Sequence, residues 1–195
     1  MQRLSVSVIF IALLLTCNAE TYKNQKPVKS TTSLSADEIA IYKAVLRTYS
    51  GGKDVNLNVA ATTYPLDPNA SECLNGVEPE NLSSASNSFH ELPTDVLPSR
   101  AMRLVDPKRQ TRIVHSNDPS NTIRKGEPVK DAVEAAFSTG LFSMSEIAFD
   151  NGHHFAAVSY SFWCGHLCGH GQTLVFENVN GEWRNANRDC GSWDS

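Results

Sequence analysis

Two Asn-Gly steps, Asn151-Gly152 and Asn180-Gly181, leave the C-terminal part of this chain few ways to fold. Asn-Gly readily supplies two consecutive residues at positive φ, the requirement of the tightest hairpin turns. Flanking the first step, Met144 to Asp150 and His153 to Trp163 read as antiparallel strands. Flanking the second, Gln172 to Val179 and Glu182 to about Ala186 read as another pair. The Cys164 to Gly171 loop, CGHLCGHG, joins the two hairpins, so a four-stranded antiparallel meander is expected.

Helices are expected ahead of this sheet. Ser35-Ala36-Asp37-Glu38 forms a capping box, in which serine and glutamate satisfy each other's backbone amides at a helix start. Ile39, Tyr42, Val45, Leu46 and Tyr49 follow at helical spacing, and Gly51-Gly52 ends the run. Val55, Leu57, Val59 and Ala61 then alternate with Asn56, Asn58 and Ala60 as in a half-buried strand. Residues 62–127 carry seven prolines and many Ser and Asn, which predicts an irregular middle. Within it, Arg100 to Val105 and Thr111 to Val114 read as short strands. Pro128 opens a second helix with an apolar stripe of Val129, Val133, Ala136 and Phe137, closed by Gly140. Helices followed by an antiparallel sheet make the class α+β, in one domain over residues 35–195.

The N-terminus reads as an export signal. Arg3 precedes an apolar run from Leu4 to Leu15, and Cys17 and Ala19 give the small-x-small pattern of a cleavage site. That run is shorter than the roughly 20 residues needed to cross a bilayer, and no later segment is long and apolar enough. Residues 1–19 are therefore expected to leave as a signal peptide, with 20–34 a polar, flexible leader and a periplasmic or secreted product. A second reading takes Leu14-Leu15-Thr16-Cys17 as a lipoprotein box, with Cys17 lipidated and the product tethered; Thr16 departs from the small residue that box wants. A formal net charge of −4 and the export signal exclude a nucleic-acid partner. The basic segment Arg100, Arg103, Lys108, Arg109 and Arg112 reads as a solvated face.

Once Cys17 is gone, Cys73, Cys164, Cys168 and Cys190 remain, an even number that in an exported chain reads as two disulfides. The return strand brings Cys190 back toward the CGHLCGHG loop. A bridge from Cys190 to Cys164 or Cys168, with Cys73 tied to the other, is the preferred pairing. Cys164–Cys168 with Cys73–Cys190 is the alternative.

Residues 141–150, the run Tyr160-Ser161-Phe162-Trp163-Cys164-Gly165-His166-Leu167-Cys168-Gly169-His170-Gly171, and the ending Cys190-Gly191-Ser192-Trp193-Asp194-Ser195 together resemble a family of exported bacterial proteins. The resemblance covers mainly residues 128–195. It implies a bacterial, exported origin and carries no activity or catalytic residues with it.

Only one constellation offers chemistry. His153 and His154 fall at the far end of an 11-residue strand from the loop, leaving Cys164, His166, Cys168 and His170. Zinc and copper favour such ligands, but the spacing matches no zinc finger, c-type haem or thioredoxin-like motif. A disulfide-stapled structural loop without cofactor is the preferred reading, and zinc or copper on His166 and His170 the alternative. No nucleophile elbow, His-Glu-x-x-His, phosphate loop or dinucleotide fingerprint occurs. His90 and His115 read as surface or loop residues, and Trp163, Trp183 and Trp193 as core. The expected function is a non-enzymatic, disulfide-stabilised binding domain for a protein or small-molecule ligand, the irregular middle forming its contact surface. A metal-binding protein or metal-dependent enzyme is the second reading, and a hydrolase with dispersed residues the third.

Overall fold

Ser35 starts the first helix with the capping box its sequence requires. Its hydroxyl accepts from the Glu38 amide at 3.2 Å, and the Glu38 carboxylate accepts from the Ser35 amide at 2.7 Å. The structure, a computed structural model, describes residues 26–74, 82–166, 168–188 and 190–195. The expected signal peptide, Cys17 and the first residues of the leader lie outside the described residues. Residues 26–34 are placed: β1 (Val28–Lys29) pairs with a strand at Ser88–Phe89, and Lys29 meets Glu91.

Helix α1 (Ala36–Ser50) ends at Gly51, whose φ of 58° closes it in the left-handed conformation. Next come β2 (Leu57–Ala60), a 3-10 segment at Pro68–Leu74, α2 (Leu82–Ala85), β3 (Ser88–Phe89) and β4 (Met102–Val105). Three helices follow, α3 (Pro107–Ser116), α4 (Pro119–Arg124) and α5 (Val129–Thr139). The remainder is strand: β5 (Leu141–Met144), β6 (Ala148–Phe149), β7 (Phe155–Gly165), β8 (Cys168–Val179), β9 (Glu182–Asn185) and β10 (Ser192–Asp194). The chain is mixed α and β.

One eight-stranded sheet dominates, with main order β10-β8-β7-β5-β2-β4; β6 joins β7 and β9 joins β8. The C-terminal strands are thus part of a larger mixed sheet, because β5 also pairs in parallel with β2, and β2 with β4. This corrects the half-buried reading of β2. All four of its residues are buried, since it is hydrogen-bonded on both edges and covered on both faces. Asn58 is satisfied there: its amide donates to the Ser138 and Gly140 carbonyls, and its oxygen accepts from Arg103 Nε at 2.8 Å.

The middle is less irregular than its prolines suggest. Thr111–Val114, expected as strand, lies inside α3. Asp106 caps that helix by accepting from the Arg109 amide at 2.6 Å, with Pro107 at the first helical position. The first Asn-Gly step also behaves differently. Positive φ falls on His153 (50°), because the Asp150 carboxylate accepts from the His154 and Phe155 amides and shapes the turn. Asn180 (56°) and Gly181 (85°) form the tight turn as expected.

Alternate residues of β7 separate to two faces. Ala156, Val158, Phe162 and Cys164 join Leu174 and Phe176 against Ile41, Tyr42, Val45 and Leu46 of α1, which is the main core. On the other face, Ala157 and Val175 pack under Leu66, Ala70 and Leu74, and Trp163 under Val114 of α3. Of the apolar stripe expected on α5, Ala136 is buried as expected and Ala132 joins it, whereas Val129, Val133 and Phe137 are exposed. The two alanines let α5 approach closely.

Burial pushes the Tyr49 and Tyr64 phenols up to about 12 and Tyr42 well above its usual value, Glu146 and Glu38 adding to the last. A phenol whose folded pKa is raised contributes stability that is complete below its unfolded value of about 10 and lost above it. The urea midpoint is therefore expected to fall between pH 10 and 12 ahead of general base denaturation, and Tyr64→Phe to flatten that fall. An unchanged slope in the variant contradicts the assignment.

Candidate functional site

The CGHLCGHG segment is the end of a hairpin rather than a loop. Strand β7 runs to Gly165 and β8 starts at Cys168, with Trp163 opposite Gly169 and Gly165 opposite Cys168. The disulfide of the described residues joins Cys164 to Cys168, whose Cα atoms are 5.1 Å apart. This overturns the preferred bridge from Cys190 to one of them, because two cysteines facing each other across the hairpin end close the shorter span. Cys190 lies instead beside Cys73, whose thiol donates to the Cys190 carbonyl at 3.7 Å.

Asp118 clamps the hairpin end. It caps α4 by accepting from the Ser120 amide at 2.8 Å, and its other oxygen accepts from the His166 amide at 2.7 Å. Burial pushes this carboxyl up, but amide hydrogen bonds from His166, Ser120 and Asn121 outweigh it and hold the pKa below the usual carboxylate value. Gly165, at φ 143°, lies so close that a Cβ would stand 2.6 Å from Pro119 Cδ. The glycine is required by conformation and by contact.

The two histidines of the expected metal pair are not brought together. His166 lines a cleft with His115, Asp118 and Arg124, on the side where His115 meets the edge of Trp163. His170 points to the α1 face, stacked on Tyr49 with ring centres 5.6 Å apart. Cys164 and Cys168 are bonded to each other. Among the described residues no three His, Cys, Asp or Glu side chains converge as metal ligands.

His90, expected at the surface, is buried with Glu146. Its Nδ1 lies 2.7 Å from one Glu146 oxygen; the other accepts from the His90 amide at 2.9 Å and from the Thr63 hydroxyl. Thr32 Oγ1 stands 3.4 Å from His90 Nε2, giving the order hydroxyl, imidazole, carboxylate familiar from hydrolases. The same carboxylate also accepts from the Thr63 hydroxyl and the His90 amide, which fix its orientation toward the imidazole. The trio anchors residues 63 and 90 onto the sheet. Sequence spacing could not reveal it, because the partners lie 27 to 83 positions apart.

A cleft of about 730 Å³ opens on the sheet face opposite α1. Its floor is Ser159, Thr173 and their neighbours, small residues left between the two clusters that cover this face; the Ser159 and Thr173 hydroxyls are 2.8 Å apart. Tyr64 forms one wall. Trp193 forms another. Strand β10 places Trp193 opposite Gly171, and a Cβ on Gly171 would stand 2.6 Å from the indole Cε2, one on Gly169 3.4 Å from Cζ3. The indole thus lies over two glycines. Trp193 is 47% exposed, which corrects its assignment to the core. Ser86 Oγ, buried and without a hydrogen-bond partner among the described residues, borders the same cleft. The signal for this site was present as Gly-x-Gly in one strand and Trp in another, but their pairing was not legible.

Comparison with family models, with curated proteins and with solved structures finds no match to this chain.

Two substitutions test the geometry. Gly171→Ala is expected to unseat the indole, moving the Trp193 signal in fluorotryptophan NMR while that of buried Trp183 stays; an unmoved Trp193 contradicts the seat. Asp118→Ala should cost about 1–3 kcal/mol in urea unfolding at neutral pH, as expected for a cap and a charge-assisted hydrogen bond. Since the folded pKa is lowered, that contribution is present above the unfolded value and lost as pH falls through the folded one. The gap between wild type and variant should therefore close in acid.

Proposed function

We propose that this chain is an exported, non-enzymatic binding domain whose cleft beside Trp193 takes a short neutral carbohydrate. The observation that carries the reading is the seat of Trp193: one ring face lies on glycine backbone and the indole stays 47% exposed at a 730 Å³ cleft. That volume is in the range of small-molecule sites. An aromatic face carries partial negative charge and attracts the weakly positive C–H face of a sugar ring. Around the platform stand Asn69, Ser86, Gln172 and Ser192, neutral groups suited to hydroxyls, and Ser86 Oγ has a hydrogen bond to offer. Among the described residues Asp67 is the sole charged one lining the cleft, and its negative charge does not favour a phosphate or another anion.

Export is supported by the order of charge, apolar core and small residues in 1–19, and by the resemblance to exported bacterial proteins. The Cys164–Cys168 bridge fits an oxidising compartment. Within the described residues no helix is long and apolar enough to cross a membrane. The product is periplasmic or secreted, with the C-terminal strands as scaffold and residues 64–70 of the middle segment supplying one wall.

Titration of the purified protein with short neutral oligosaccharides, followed by calorimetry, tests the reading. At least one should bind, and Trp193→Ala should weaken it tenfold or more, about 1.4 kcal/mol. A variant that binds as well as the wild type, or a full panel without heat, refutes it.

A further inference from the structure

We infer that Cys73 and Cys190 form a second disulfide, which fixes the distance between two walls of the Trp193 cleft. Cys73 sits in the 3-10 segment Pro68–Leu74, and Cys190 directly precedes Gly191 and β10. The Cys73 thiol is 3.7 Å from the Cys190 carbonyl, although 117 positions separate the residues. Both pack half-buried in one small cluster with Leu66, Ala70 and Leu74. A thiol 3.7 Å from its partner's carbonyl brings the two residues into the close neighbourhood a disulfide requires.

The reaction is thiol–disulfide exchange. One thiolate attacks a disulfide-bearing oxidant, forming a mixed disulfide and releasing one oxidant sulfur as thiolate. The second cysteine then attacks the protein-side sulfur and expels the other half. Two thiols lose two protons and two electrons, and the oxidant ends as two thiols. Glutathione disulfide or a dithiol oxidase of the export compartment is an oxidant of the required class.

The location gives the bond a consequence. Asn69 and Ala70 line the cleft from one side, Cys190, Gly191 and Trp193 from another. A bond between Cys73 and Cys190 ties these segments so that the indole seat cannot drift from the 3-10 wall. The bond itself is independent of the carbohydrate reading; only its effect on binding rests on that reading.

The full chain, equilibrated with a mixture of reduced and oxidised glutathione, alkylated and digested without reductant, gives the test. A linked peptide pair containing Cys73 and Cys190 is expected beside the Cys164–Cys168 pair. Cys73→Ser should lower the melting temperature by roughly 5–15 °C, and Cys73→Ser with Cys190→Ser should melt at the same temperature as Cys73→Ser alone. Alkylated or glutathionylated Cys73 and Cys190 in the wild type, or either one linked to a third cysteine, overturns the proposal without the need for a folded variant. A confirmed bond with no oligosaccharide binding would leave this inference standing and remove the carbohydrate reading.

Discussion

The pairing of β7 with β8 fixes nearly every other relationship in the molecule. From Phe155 opposite Glu177 to Trp163 opposite Gly169, each residue has one assigned neighbour, and side chains alternate between faces. A slip of one position would exchange Phe162 and His170 with Ser161 and Gly171, moving the main core to the wrong side. Such a slip is opposed at the hairpin end. The register shift after Trp163, the Cys164–Cys168 bond and the Asp118 carboxylate on the His166 amide hold that end in one arrangement. The core against α1 and the cleft opposite are thus two consequences of one ladder.

A buried polar trio does for the middle segment what the ladder does for the strands. Burying a carboxylate and an imidazole is costly unless their hydrogen-bonding capacity is met. Glu146 meets it with donors from Thr63 and His90, and its own amide donates to the Tyr64 carbonyl at 2.7 Å. The Tyr64 amide in turn donates to the Met144 carbonyl. These bonds bring Tyr64 to the sheet, where it stands as a wall of the cleft. Removing one partner would leave a buried polar group without its hydrogen bond, so the trio sets position more firmly than apolar packing there would.

What the sequence disclosed, and what it hid, follows from the range of the interactions. The Ser35 capping box, the Gly51 stop and the Asn180-Gly181 turn are local, and each stands where the residues place it. Asp106-Pro107 and Asp118-Pro119 are equally local helix starts, obscured because they stood among prolines and serines that resemble loop. The disulfide pairing, the burial of His90 and the outward turn of Val129, Val133 and Phe137 depend on partners far along the chain. No periodicity carries that information. His166 and His170 lie close in sequence yet face different clefts, because the turn and the alternation of the strand separate them.

The glycines of the hairpin answer more than one demand of the fold. Gly165 is explained by the fold alone, through its positive φ and the contact with Pro119. Gly171 and Gly169 meet neighbouring backbone and the indole together, although each glycine costs backbone entropy in a strand interior. A Cβ would stand 2.7 Å from the Tyr160 carbonyl oxygen at the first and 3.2 Å from that of Phe162 at the second, as well as against Trp193. With both positions bare the indole lies on backbone, and it still shows nearly half its surface to solvent. The ladder thus seats the Trp193 indole with no side chain beneath it, and the carbohydrate reading rests on the ring face left open at the cleft.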